Sequence, residues 1–267
     1  MADTEGIGPG TTGMARKPAG IVAAKRFFPC KGVVFDKDGT LIDIFPLLSA
    51  LGHERLRHLA ARVRHNALAS VERCMGFDSK TGEVSPLGPL AGATRRDEVA
   101  VTACALWLEG IPWYQAISIA KEAYDQADAT LDVTKDAYLL PGAHSCVTSL
   151  AESGLTLFIA TSDGHERAEN MLDSLGILGY FHSIVAADDV TEPKPSPESV
   201  LVCANRLGIS PEELVVVGDA PQDAIMARRA GCKSIGVLTG VSSFDMLEGY
   251  CDLVLPGVLD IRPAPRE

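Results

Sequence analysis

The chain has 267 residues, 46% of them apolar, and a formal net charge of -11. That length suits one large α/β domain, or a main domain with an insert, and supplies a sizeable core. The acidic balance excludes nucleic acid and anionic membrane as favoured partners, and no run of about 18 apolar residues is present to span a bilayer.

Residues 1–25 are rich in Gly, Thr, Ala and Pro and lack the apolar stretch of a secretory signal. Their composition predicts a disordered N-terminal tail. Gly32-Val33-Val34-Phe35 is a short apolar run ending at acidic residues and Gly39. It reads as a buried parallel strand entering a loop. The interval 44–136 holds no convincing strand. Helical spacing is found over 46–74, 95–108 and 113–127, the last with Trp113, Ala116, Ile117, Ala120, Tyr124 and Ala127 on one face. A Gly/Pro-rich loop covers 76–93, longer than most structureless connections. It is either a plain surface loop or one that reaches a site and selects its ligand. The turn Leu140-Pro141-Gly142 then returns the chain to strands.

From there strand and helix alternate. Apolar runs over 155–160, 183–186, 214–217, 234–237 and 253–255 read as strands. The segments 165–176, 197–208 and 221–230 read as helices. Gly154, Gly176, Gly208 and Gly231 stand where helices end. The pattern predicts an α/β fold: a doubly wound, mostly parallel sheet built from 26–43 and 137–267, interrupted by an all-helical insert over 44–136. The seven cysteines form no Cys-x-x-Cys pair. They read as reduced core thiols of a cytoplasmic protein.

Four carboxylates follow predicted strands: Asp36 and Asp38 after the first, Asp219 and Asp223 after Val215-Val216-Val217-Gly218. Parallel strands of a doubly wound sheet end on one edge, so the pairs converge across the sequence gap. Clustered carboxylates repel unless a cation neutralises them, and an oxygen-only donor set suits Mg²⁺. Strand alternation points Asp36 and Asp38 one way and Lys37 the other. Asp36 is then placed to attack and Asp38 to move protons. Thr161-Ser162-Asp163-Gly164 follows a strand and precedes a helix, a setting where a hydroxyl and free N–H groups bind phosphate oxygens. Thr161 as a helix cap is compatible with that contact, and Ser162 either caps the helix or offers its N–H. Lys194, flanked by Pro193 and Pro195, is aimed from a restricted loop at the same edge. Phosphoryl transfer asks mainly for such alignment and charge neutralisation.

These residues resemble the motifs of the haloacid dehalogenase superfamily, in the branch with a helical cap after the first motif, which implies that the 44–136 insert is a cap domain. The resemblance runs from about residue 31 to 256. Asp36-Lys37-Asp38-Gly39-Thr40 looks like the first motif. It implies Asp36 as nucleophile and metal ligand, and Asp38 as acid/base whose backbone carbonyl also binds Mg²⁺. Thr161 is similar to the phosphate-binding hydroxyl of the second motif, Lys194 to the third-motif lysine. Gly218-Asp219-x-x-x-Asp223 is similar to the fourth, whose acids complete the metal site, Asp223 directly or through water. The second aspartate of Asp-x-Asp separates phosphatases and mutases from the metal-free dehalogenases.

The resemblance implies a Mg²⁺-dependent phosphatase acting on a small phosphorylated metabolite through an aspartyl-phosphate, with phosphoglycolate as the first substrate to try. A sugar phosphomutase and a catalytically idle binding module are the alternatives. Lys37 is expected to be structural or salt-bridged. His53, His58 and His65, with Arg55, Arg57, Arg62 and Arg64, are expected on a solvated face. Trp107 and Trp113 are expected to pack the cap core.

Overall fold

The computed structural model describes residues 19–132, 135 and 137–265. Most of the expected N-terminal tail lies outside these residues. Its last part does not extend the tail: β1 (Gly20–Ala23) and β2 (Arg26–Pro29) form an antiparallel hairpin, and β11 (Ile261–Pro263) joins the free edge of β1. Ile21, Ala23 and Phe28 are buried in the main core. The sequence hides this hairpin because its turn residues, Ala24 and Lys25, take positive φ without the Asn or Gly that usually marks such a turn.

β3 (Gly32–Phe35) is buried along its whole length, as is β8 (Leu214–Gly218) beside it. With β6 (Thr156–Ala160), β7 (Ser183–Val185), β9 (Lys233–Val237) and β10 (Leu253–Leu255) they make a six-stranded sheet in the order β10-β9-β8-β3-β6-β7. Every pairing in it is parallel. Alternation along each strand separates two apolar layers. Val33, Phe35, Leu157, Ile159, Val215 and Val217 face α6 (Ala143–Glu152) and α7 (His165–Ser174). Val34, Phe158, Ala160 and Val216 face α8 (Glu198–Leu207) and α9 (Pro221–Ala230). Burial on both faces is why these strands read as continuous apolar runs. A short α10 (Phe244–Leu247) connects β9 to β10. The result is the expected Rossmann-like doubly wound sheet.

The chain leaves this sheet through β4 (Ile42–Asp43) and returns through β5 (Tyr138–Leu139), which pair antiparallel. Between them lie α1 (Ile44–Ala60), α2 (His65–Met75), α3 (Pro89–Gly92), α4 (Arg95–Leu108) and α5 (Trp113–Thr130). They pack around an apolar cluster of their own, with Leu59, Val71, Leu106, Ala116 and Ala120 inside. Asp43 caps α1 by accepting from the Phe45 N–H. The 76–93 interval is more ordered than a plain loop: Asp78 organises a turn, Phe77 bridges Val84, and α3 follows.

Three expectations for the helices change. Trp107 and Trp113 are 52% and 50% exposed rather than core residues, because Ala103, Ala116 and Ala120 already let α4 and α5 approach closely. Arg55 is buried, not solvated. Its Nη1 lies 2.7 Å from Glu98 Oε2, and its guanidinium stacks 4.2 Å from the Tyr124 ring centroid. The Arg55–Glu98 contact lacks the alignment of a hydrogen bond and acts as an ion pair.

Candidate active site

In sequence order the six parallel strands run 3-2-1-4-5-6 across the sheet, so connections diverge between β3 and β8. Beyond the carboxyl ends of those two strands lies the crevice where open α/β sheets bind ligands. Asp36 leaves β3 there, its N–H donating to the Val217 carbonyl of β8. Asp219 and Asp223 follow β8, the latter in the first turn of α9, where its carboxylate accepts from the Ala220 N–H.

The structure brings Asp36, Asp219 and Asp223 together: one carboxylate oxygen from each lies within 4.8 Å of the others. Lys194 enters between β7 and α8. Its Nζ is 2.6 Å from Asp36 Oδ1 and 2.7 Å from Asp223 Oδ1. Asp219 Oδ2 instead accepts from the Val241 N–H at 3.0 Å.

Three glycines make this density of charge possible. A Cβ on Gly218 would strike the Asp223 carboxylate, and one on Gly240 would strike Asp219. Gly39 has φ +76 and would also press on Asp219. Thr239 Oγ1 donates to the Gly39 carbonyl at 2.7 Å, closing the 239–241 loop over the first acidic loop. Gly240 and Val241 carry no sequence signal of their own. Only the turn after β9, facing the Asp219 edge, points to them.

The electrostatics follow from burial. Burial pushes the Asp36 carboxyl up to about 7; Lys194 opposes this, while the charges of Asp223 and Asp38 add to it. Asp219 is raised well above the ordinary range, by burial first and then by Asp36 and Asp223. Burial works against the Lys194 charge, but Asp223 and Asp36 outweigh it and hold that ammonium above the usual lysine range. Acids that resist ionising unless another positive charge arrives fit a divalent cation. Oxygen-only donors drawn this close suit a hard divalent cation.

Asp38 is not brought into the trio. The chain turns back on itself after Asp36, with the Leu41 and Ile42 N–H groups both donating to the Lys37 carbonyl. Lys37 is fully buried, and its Nζ lies 2.6 Å from Asp38 Oδ1. Strict alternation of Asp36, Lys37 and Asp38 therefore ends with the strand. On the other side of β3, Phe35 pairs with Ile159 of β6, so Thr161 leaves the neighbouring strand end. Its Oγ1 accepts from the Asp163 N–H at 3.1 Å, which leaves the hydroxyl proton to donate. Ser162 follows, exposed.

A cavity of about 860 Å³ lies among α1, α2 and the 76–85 segment. Asp43, Phe45 and Ser49 line it from the start of α1, Arg73 and Asp78 from beyond. None of Asp36, Asp38, Asp219 and Asp223 lines it.

The family model of haloacid dehalogenase-like hydrolases matches residues 30–231. The chain is 30% identical over 239 residues to the phosphoglycolate phosphatase of Salmonella choleraesuis strain SC-B67, covering 88% of this chain and 92% of that protein. It is 28% identical over 244 residues to the phosphoglycolate phosphatase of Escherichia coli K12, covering 90% and 94%. Its fold is similar to the crystal structure of an HAD family hydrolase from Deinococcus radiodurans R1 with bound phosphate and sodium, at a TM-score of 0.62 and 20% identity, covering 86% and 93%. On these grounds the chain belongs to the haloacid dehalogenase-like hydrolase family.

Proposed function

We propose that this hydrolase is a Mg²⁺-dependent phosphatase that cleaves a small phosphomonoester through an aspartyl-phosphate. The observation that carries the reading is the buried trio of Asp36, Asp219 and Asp223 with Lys194 set between two of its members, at the switch point of the sheet. Asp36, Asp219, Asp223 and the Asp38 backbone carbonyl would hold Mg²⁺. When bound, the ion supplies positive charge to the nucleophile and the phosphoryl oxygens.

An Asp36 carboxylate oxygen attacks phosphorus as the ester P–O bond breaks, and Asp38 gives its proton to the departing oxygen. Asp38 then takes a proton from water, whose oxygen attacks phosphorus. Inorganic phosphate leaves and Asp36 is restored. Lys194 offsets charge on the nucleophile and phosphoryl group, while the Thr161 hydroxyl and the Ser162 N–H hold phosphoryl oxygens. Phosphoglycolate is the first substrate to test, because the curated relatives carry that name. The seven free thiols support a cytoplasmic setting.

Asp36→Asn is the test. It keeps the shape of the site and removes the nucleophile. Phosphate release from phosphoglycolate or 4-nitrophenyl phosphate should fall by more than about 10³-fold, with the thermal melt retained. Wild-type protein that releases no phosphate from any ester of a metabolite panel with Mg²⁺ would overturn the reading. Conversion of a sugar 1-phosphate to its 6-phosphate without phosphate release would favour the mutase instead.

A further inference from the structure

We propose that Lys37 is a positioning residue for Asp38, holding its carboxylate in the orientation that delivers a proton to the leaving oxygen. This rests on the reading of Asp38 as the acid/base. Lys37 lies one residue from the nucleophile, yet its ammonium contacts Asp38, Asp163 and Met171 rather than the acidic trio, and it is among the largest fully buried side chains. An ammonium in a core is costly unless its donors are met by charge. All three of its directions are accounted for. Nζ is 2.6 Å from Asp38 Oδ1, 3.4 Å from Asp163 Oδ2 and 3.4 Å from Met171 Sδ of α7.

Asp163 is anchored in turn. Its Oδ2 is 3.2 Å from Arg167 Nε, its Oδ1 accepts from the Gly164 N–H, and its own N–H donates to Thr161 Oγ1. One chain of contacts thus runs from the proposed proton carrier through Lys37 to the turn that presents the proposed phosphate-binding hydroxyl. A methionine would fill the same space without the charge. What the charge adds is orientation: the Asp38 side chain is 24% exposed, and Lys37 is its one side-chain partner among the described residues. Displacement of a reacting group by about 1 Å can cost about 10²-fold in rate.

The test separates orientation from stability by varying how much the leaving group needs a proton. 4-Nitrophenolate departs readily as an anion, whereas phenolate, with a conjugate acid near pKa ~10 like tyrosine, depends on the acid. We compare kcat/KM, which reports formation of the aspartyl-phosphate, for 4-nitrophenyl phosphate and phenyl phosphate in wild type, Lys37→Met and Asp38→Asn. Lys37→Met should lose about tenfold more on phenyl phosphate than on 4-nitrophenyl phosphate, as general acid catalysis contributes about 10²–10⁴-fold. Asp38→Asn should show the same selectivity, more strongly.

Equal losses on both esters in Lys37→Met, with selectivity kept in Asp38→Asn, would overturn the role of Lys37 alone. Absence of selectivity in Asp38→Asn would overturn the acid reading and the inference together. If Lys37→Met does not fold, Asp163→Asn loosens the far end of the same contact. A selective loss in that variant supports the role, and a uniform loss overturns it.

Discussion

Asp36 is a nucleophile candidate that holds its proton near neutrality unless positive charge is supplied, and that property has a thermodynamic signature. Its value in the folded chain, about 7, lies above the ordinary 3.8, with burial as the main cause. The folded state therefore binds the proton more tightly than the unfolded state. Its contribution to stability is complete below pH 3.8 and is lost as pH rises through about 7. In chelator-treated protein, the melting temperature of wild type relative to Asp36→Asn should fall across that window by scanning calorimetry. The stabilisation given by added Mg²⁺ should grow across the same window, because the ion favours the ionised trio. A flat difference would mean that Asp36 ionises freely without metal. At this scale the sequence was informative about the acids, which come after apolar runs, and about Lys194, held between Pro193 and Pro195. It placed Gly218 in the fourth motif without a reason and was silent about Gly240; their role is the space they leave for Asp223 and Asp219, a property of folded neighbours rather than of spacing.

Among the elements, α1, α4 and α5 meet at a charged contact inside an otherwise apolar cluster. Arg55 of α1 reaches Glu98 of α4 and lies over the Tyr124 ring of α5, whose hydroxyl is 2.7 Å from Thr102 Oγ1. Removing one partner of a buried pair leaves a bare charge and costs about 3–5 kcal/mol, whereas replacing both with apolar groups is often neutral. Glu98→Leu should therefore lower the unfolding free energy by about that amount, and Arg55→Met with Glu98→Leu should recover most of it in denaturant melts. If the double variant is as unstable as the single one, the pair contributes through packing rather than charge. Arg55 was legible in principle. It falls in register with Leu48, Gly52 and Leu59, the buried stripe of α1, and only its charge argued for the surface. The β1–β2 hairpin was not legible, because its pairing with β11 joins residues at opposite ends of the chain.

Across the whole molecule, the position of the insert divides the labour. The parallel sheet fixes Asp36, Thr161 and Asp219 at neighbouring strand ends and Lys194 in the loop between β7 and α8, so that alternating strands and helices in the sequence were enough to infer their convergence. The helices inserted after β4 contribute no residue to the trio and are free to shape what accompanies the phosphate. The charged residues on the walls of their cavity are mostly acidic, with Asp43, Glu72, Asp78 and Glu83 there and Arg73 as the one cation among the lining residues. Arg73 donates to Ser70 Oγ at 3.0 Å and forms no ion pair among the described residues, so its charge is available. If this cavity receives the second anionic group of a substrate, such as the carboxylate of phosphoglycolate, Arg73 is the cation that meets it, whereas an uncharged leaving group makes no use of it. A charge-assisted hydrogen bond contributes about 1.5–3 kcal/mol. Arg73→Ala should then raise KM for phosphoglycolate by about tenfold or more and leave 4-nitrophenyl phosphate hydrolysis unchanged. The same change on both esters in that variant, or none on either, would remove this cavity from substrate recognition and turn attention to substrates without a carboxylate, which acidic walls repel least.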